Sequence, residues 1–73
     1  MSAFLASLRA AAVGAGWRSA HDLAAALDVP VGRVRNGLRL LATRRYGGHQ
    51  LDARLAHNKA EYRLWPTNGE SET

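Results

Sequence analysis

The 73-residue sequence has no cysteine, only two prolines, and single methionine and phenylalanine residues. Without a thiol there is no disulfide, no cysteine-based zinc site, no thiolate nucleophile and no redox role. Long apolar runs are missing too. Arg or Gly interrupts every one of them far short of the ~20 residues that span a bilayer, and no charged-then-apolar leader opens the chain. The expectation is a small cytoplasmic domain with no membrane attachment. Catalytic constellations are equally scarce. His21, His49 and His57 have neither metal-ligand spacing nor a carboxylate cluster, and Gly47-Gly48 reads as a turn, not a phosphate loop. No Ser-His-Asp arrangement stands out. The chain is therefore expected not to be an enzyme and to hold no metal or cofactor.

What is present is a globular balance of 47% apolar and 22% charged residues. A chain this short buries little core, so without disulfides it needs a partner or tightly packed helices. Ten basic residues face six acidic ones, a net charge of +4, and the isoelectric point is near 10.7. The charge is unevenly placed. Residues 1–30 are neutral, with Arg9 and Arg18 against Asp22 and Asp28. Residues 31–65 hold Arg33, Arg35, Arg39, Arg44, Arg45, Arg54, Lys59 and Arg63 against only Asp52 and Glu61. A neutral half joined to a basic half is the electrostatic footprint of a polyanion binder. All the basic residues but Lys59 are arginine, the side chain suited to forked contacts with phosphate and guanine.

Periodicity predicts five elements. Ser2 caps a first helix whose stripe is Phe4, Leu5, Leu8, Ala11 and Ala12, ended by Gly14 and Gly16. Trp17-Arg18 is a short extended link, with the indole in the core. Ser19-Ala20-His21-Asp22 reads as a capping box opening a second helix to about Leu27. Asp28-Val29-Pro30 stops it, since a residue before proline is pushed out of the helical region, and Pro30 starts a third helix from about Val31 to Arg44. Beyond the turn at Tyr46-Gly47-Gly48 the period becomes alternating. Leu51, Ala53 and Leu55 alternate with Asp52 and Arg54, and Tyr62 and Leu64 with Glu61, Arg63 and Trp65. With His57-Asn58-Lys59 as the turn, these runs form a β-hairpin. Residues 1–65 are expected to make one mainly α domain with a β-hairpin, and residues 66–73 a disordered polar tail.

The order helix, link, helix, tight turn, helix, hairpin resembles a winged helix-turn-helix DNA-binding domain of the bacterial or phage regulator type. The resemblance is carried by Leu23-Ala24, Leu27, Val29-Pro30, Val34, Leu38 and Leu41, followed by the hairpin, and it covers roughly residues 3–65. It implies a three-helix winged fold in which the third helix enters the major groove of double-stranded DNA and the hairpin reaches backbone or minor groove. The third helix supports this by its own pattern. At about 100° per residue, Leu38 and Leu41 fall within about 40° of Val34, while Gly32, Arg35, Asn36, Arg39 and Thr43 fall between about 100° and 200°. Two arginines, an amide, a hydroxyl and a small residue are groups that read base edges. Residues 31–45 contain no Asp or Glu, whereas an ordinary solvated face mixes both signs.

Arg35, Asn36 and Arg39 are accordingly the leading base contacts, with Thr43 and Gly32, the latter where backbone approaches DNA closely. Ser19, Arg33, Arg44, Arg54, Lys59 and Arg63 are candidates for the phosphate backbone, Ser19 because a helix N-terminus attracts anions. A homodimer on paired half-sites would add phosphate contacts, joined through the first helix or the hairpin edge; equally, Phe4 and Leu8 could simply fill the monomer core. Two other functions compete. One is a winged helix that docks on a protein partner in a nucleoprotein machine, for which Leu40 is the single apolar candidate. The other is excisionase-like bending of DNA. Trp65 and Tyr62 resemble the wing aromatics of left-handed-DNA-binding winged helices, but Arg35 and Arg39 stand where those have Asn and Tyr. An RNA target fits less well, because Trp17, Tyr62 and Trp65 form no paired stacking platform.

Overall fold

The computed structural model describes residues 2–67, and the expected tail beyond Thr67 lies outside the described residues. The chain folds as three helices and a three-stranded antiparallel sheet, an α+β arrangement. In α1 (Ala3–Ala12) the Ser2 hydroxyl accepts from the Leu5 N–H at 3.2 Å, the expected cap. The helix stops at Ala12, ahead of the glycines, because Val13 turns extended and bridges Leu64, and the Gly14 N–H donates to the Leu64 carbonyl at 3.2 Å. The link that follows is a strand, β1 (Arg18–Ser19), not merely an extended connection.

Ser19 ends β1 and caps α2 (Ala20–Leu27), its hydroxyl accepting from the Asp22 N–H at 3.0 Å. Asp28 closes that helix in the left-handed region with φ 56°, and the Val29 N–H reaches back to the Ala24 carbonyl. Three residues therefore separate α2 from α3 (Val31–Leu41). Helix α3 is shorter than the pattern predicts. It ends at Leu41, and Arg44–Tyr46 form a separate 3₁₀ turn closed by Gly47 at φ 113°. Thr43 is the reason: its hydroxyl donates to the Leu40 carbonyl at 2.6 Å and its backbone is extended, so it leaves the helix.

The hairpin pairs β2 (Leu51–Ala56) with β3 (Lys59–Leu64), and β1 adds to the other side of β3, giving the order β1-β3-β2. Its loop is His57-Asn58 alone, both at positive φ (53° and 63°), the two-residue form whose twist matches the strands; Lys59 already pairs with Ala56.

The core joins all these elements. Leu5 and Leu8 of α1, Leu23 of α2, Val34, Leu38 and Leu41 of α3, and Leu64 of β3 are buried, with alanines at the helix contacts. Two expectations fail here. Trp17 lies at the margin, only partly buried and outside this cluster. Leu55 is 76% exposed and Ala53 is exposed, because of the hairpin's residues only Leu51, Tyr62 and Leu64 reach the core and its far end runs past the helical layer.

Gly37 sets how closely α1 and α3 meet. It is buried mid-helix, and a Cβ there would lie 2.5 Å from Leu8 Cδ2 and 3.0 Å from Phe4 Cε2. Leu8 is fully buried and has little room to move. Gly37→Val is expected to destabilise the fold by about 2 kcal/mol through overpacking, lowering the melting temperature by roughly 10 °C. An unchanged thermal unfolding curve would show that the two helices do not rely on this contact.

Candidate functional site

Burial of Val34, Gly37, Leu38 and Leu41 turns the opposite side of α3 to solvent, and Gly32, Arg33, Arg35, Asn36, Arg39 and Leu40 are exposed there. Among the described residues, Arg35, Asn36 and Arg39 make no side-chain hydrogen bond, ion pair or ring contact. Residues 29–51 contain no acid at all, so these side chains are free to donate to an outside acceptor. Arg33 differs, for its guanidinium stacks 4.5 Å from the centre of the Phe4 ring and so flanks the face. Gly32 is exposed, and a Cβ built on it meets nothing within 4 Å. Nothing within the described chain requires a glycine there, although glycine weakens a helix by roughly 0.8–1 kcal/mol relative to alanine.

The remaining candidates separate into two groups. Thr43, Arg44 and Lys59 are exposed, but Thr43 and Arg44 lie beyond α3 and Lys59 stands next to the hairpin loop. Ser19, Arg54 and Arg63 are committed elsewhere. Ser19 is 4% exposed and its hydroxyl already caps α2, whose first turn carries the carboxylate of Asp22. A like charge at that helix start works against an anion. Arg45, not singled out by the sequence, leans toward its neighbour Tyr46 at 5.7 Å.

Arg54 and Arg63 build the outer face of the sheet. Arg54 donates to Glu61 at 2.8 Å, and Arg63 donates to Asp52 at 2.9 and 3.3 Å. Both guanidinium groups lie 4.4 Å from the ring centre of Trp17, and that of Arg63 also lies 4.5 Å from the ring centre of Trp65. The result is a cluster of two arginines and two tryptophans. A cation over an exposed aromatic face contributes about 0.5–1 kcal/mol, so this surface holds the hairpin where the apolar core does not reach. Sequence spacing gave no sign of it, since Trp17 precedes β1 and lies far from the hairpin along the chain.

His49 is a second feature that spacing does not reveal. It is 3% exposed and bonded on both ring nitrogens. Arg9 can only donate, so Nε2 accepts from it at 3.2 Å, and Nδ1–H donates to the Trp65 carbonyl at 2.7 Å. The ring thereby ties α1 to the end of β3. No group of three or more His, Cys, Asp or Glu side chains suited to a metal occurs among the described residues, and no helix among them is long and apolar enough to cross a membrane. In comparisons with known proteins, no protein-family model, curated protein or solved structure significantly matches the chain.

Asp52 is held below its ordinary 3.8 by the hydrogen bond from the Trp65 indole, which donates at 2.8 Å, then by Arg63 and Gln50. A carboxyl lowered in the folded state stabilises the fold above its unfolded value and loses that contribution as pH falls through the folded one. A carbon-detected NMR titration of the Asp52 carboxyl is expected to show a midpoint under 3.8. Trp65→Phe should move it upward. A wild-type midpoint at or above the ordinary value would mean the indole and guanidinium contacts do not persist in solution.

Proposed function

We propose that this chain is a sequence-specific double-stranded DNA-binding domain of the winged helix-turn-helix type, a transcriptional regulator of bacterial or phage kind working in the cytoplasm. The observation that carries the reading is the exposed face of α3, where Arg35, Asn36 and Arg39 have no partner among the described residues and lie in a stretch with no acid. Arginine pairs with the acceptors of guanine and asparagine with the edge of adenine. An α-helix fits the major groove, and Gly32 near its start leaves space for backbone to approach. The short α2-to-α3 connection and the hairpin after α3 agree with that fold. Arg33 and Arg44 flank the face and suit phosphates, as does Lys59 at the hairpin loop. Arg54 and Arg63 support the wing from within and leave the contact itself to its tip.

Fluorescence anisotropy with random-sequence duplex DNA over a salt series tests the reading. Wild type should bind with a steep salt slope. Arg35→Ala/Arg39→Ala should lose roughly tenfold or more in affinity, its slope flattening by up to about two units if both arginines neutralise phosphates. Gly32→Leu, which improves helix propensity and whose Cβ would meet nothing within 4 Å, should also weaken binding. No binding by wild type even at low salt removes the proposal. The exposed α3 surface, with Leu40 at 41% exposure, would then be the place to seek a protein partner.

A further inference from the structure

Strand β2 ends the sheet, and no described strand pairs with its outer side. Edge strands are usually blunted by proline, a bulge or unpaired charge. This one has no proline, its register with β3 is continuous, and its charges, Asp52 and Arg54, are matched by Arg63 and Glu61 across the hairpin. It also carries Leu55, the most exposed of the large apolar residues. We propose that β2 is a dimer interface, pairing antiparallel with β2 of a second copy about a two-fold axis at Ala53.

Hydrogen-bond direction permits this pairing. The two-residue loop makes Ala56 and Lys59 a hydrogen-bonded pair, and the Trp65 N–H donates to the Gln50 carbonyl at 2.9 Å. Gln50, Asp52, Arg54 and Ala56 therefore turn their backbone groups toward β3. Leu51, Ala53 and Leu55 turn theirs outward, each offering one N–H and one C=O to a neighbour.

Charge selects the register. A two-fold axis normal to the sheet sets one residue of β2 against itself. Centring on Asp52 opposes two carboxylates, and centring on Arg54 opposes two guanidinium groups. Centring on Ala53 sets Asp52 against Arg54 of the second copy, and Leu51 against Leu55. Combined with the observed β2–β3 register, one face gains the row Arg63, Asp52, Arg54 and Glu61, alternating in sign across four strands. The opposite face gains the row Leu64, Leu51, Leu55 and Ala60, apolar throughout, with Leu55 covered. Cross-strand pairs of both kinds stabilise sheets. The axis leaves both helical layers on the same side of the combined sheet, and the pairing does not depend on what α3 binds.

Sedimentation equilibrium of the full chain without DNA tests the interface separately from DNA binding. Wild type is expected to rise with concentration toward twice the 7.9 kDa chain mass. Leu55→Lys changes a side chain already in solvent, and Ala53→Pro removes only an outward N–H. Both should remain monomeric with unchanged far-ultraviolet circular dichroism. In a mixed-label NMR sample, an intermolecular Hα–Hα contact between Asp52 and Arg54 fixes the register. A wild type that stays monomeric throughout the range, or a dimer that both variants leave intact, overturns the proposal.

Discussion

The burial of one stripe of α3 governs the rest of the molecule. Val34, Leu38 and Leu41 are fully buried where α1, α2 and the end of β3 meet, and each such side chain contributes about 1.5–3 kcal/mol relative to exposure. In so small a domain no other element could replace that contribution. Gly37 completes the stripe by letting Leu8 and Phe4 of α1 lie directly on the α3 backbone. Once this side is fixed inward, a period of 3.6 residues leaves Arg35, Asn36 and Arg39 no alternative to solvent. The candidate site is thus a consequence of the core, held by a rigid helix and not by a loop.

The sheet solves a different problem. Only Leu51, Tyr62 and Leu64 share the core, and the rest of the hairpin projects beyond. There the stabilising interactions change from apolar burial to paired charge and aromatic stacking. Arg54 and Arg63 lie over Trp17, Arg63 also over Trp65, and Asp52 gathers donors from Trp65, Arg63 and Gln50. Arginine therefore serves two ends in one small protein. On the sheet it is a structural residue with a carboxylate beside it and an indole against it. On α3 it has no carboxylate partner among the described residues.

That division matters for any partner. A basic half read from composition alone suggests one broad cationic surface, but neutralisation of Arg54 and Arg63 within the sheet concentrates the available charge on α3 and its flanks, with Lys59 set apart at the hairpin loop. The outer edge of β2, lined by Leu51, Ala53 and Leu55, is a separate surface whose character comes from backbone direction and not from net charge.

Local rules acting over a few residues made much of this legible in the sequence. Capping by Ser2 and Ser19, the stop at Asp28-Val29-Pro30, the two faces of α3 and the two strands of the hairpin all depend on neighbours within one or two turns. Contacts between distant segments were not legible. The third strand at Arg18–Ser19 exists because β3 is there to pair with it, and Trp17 sits outside the core where two arginines of the hairpin lie over its ring. Thr43 drops out of α3 because a hydroxyl bond to its own helix competes with the next turn. His49 becomes a buried tie because Arg9 and the Trp65 carbonyl converge on it. Leu55 follows the strand alternation yet remains in water, because periodicity specifies which side of a strand a residue takes, and only packing decides whether anything covers that side.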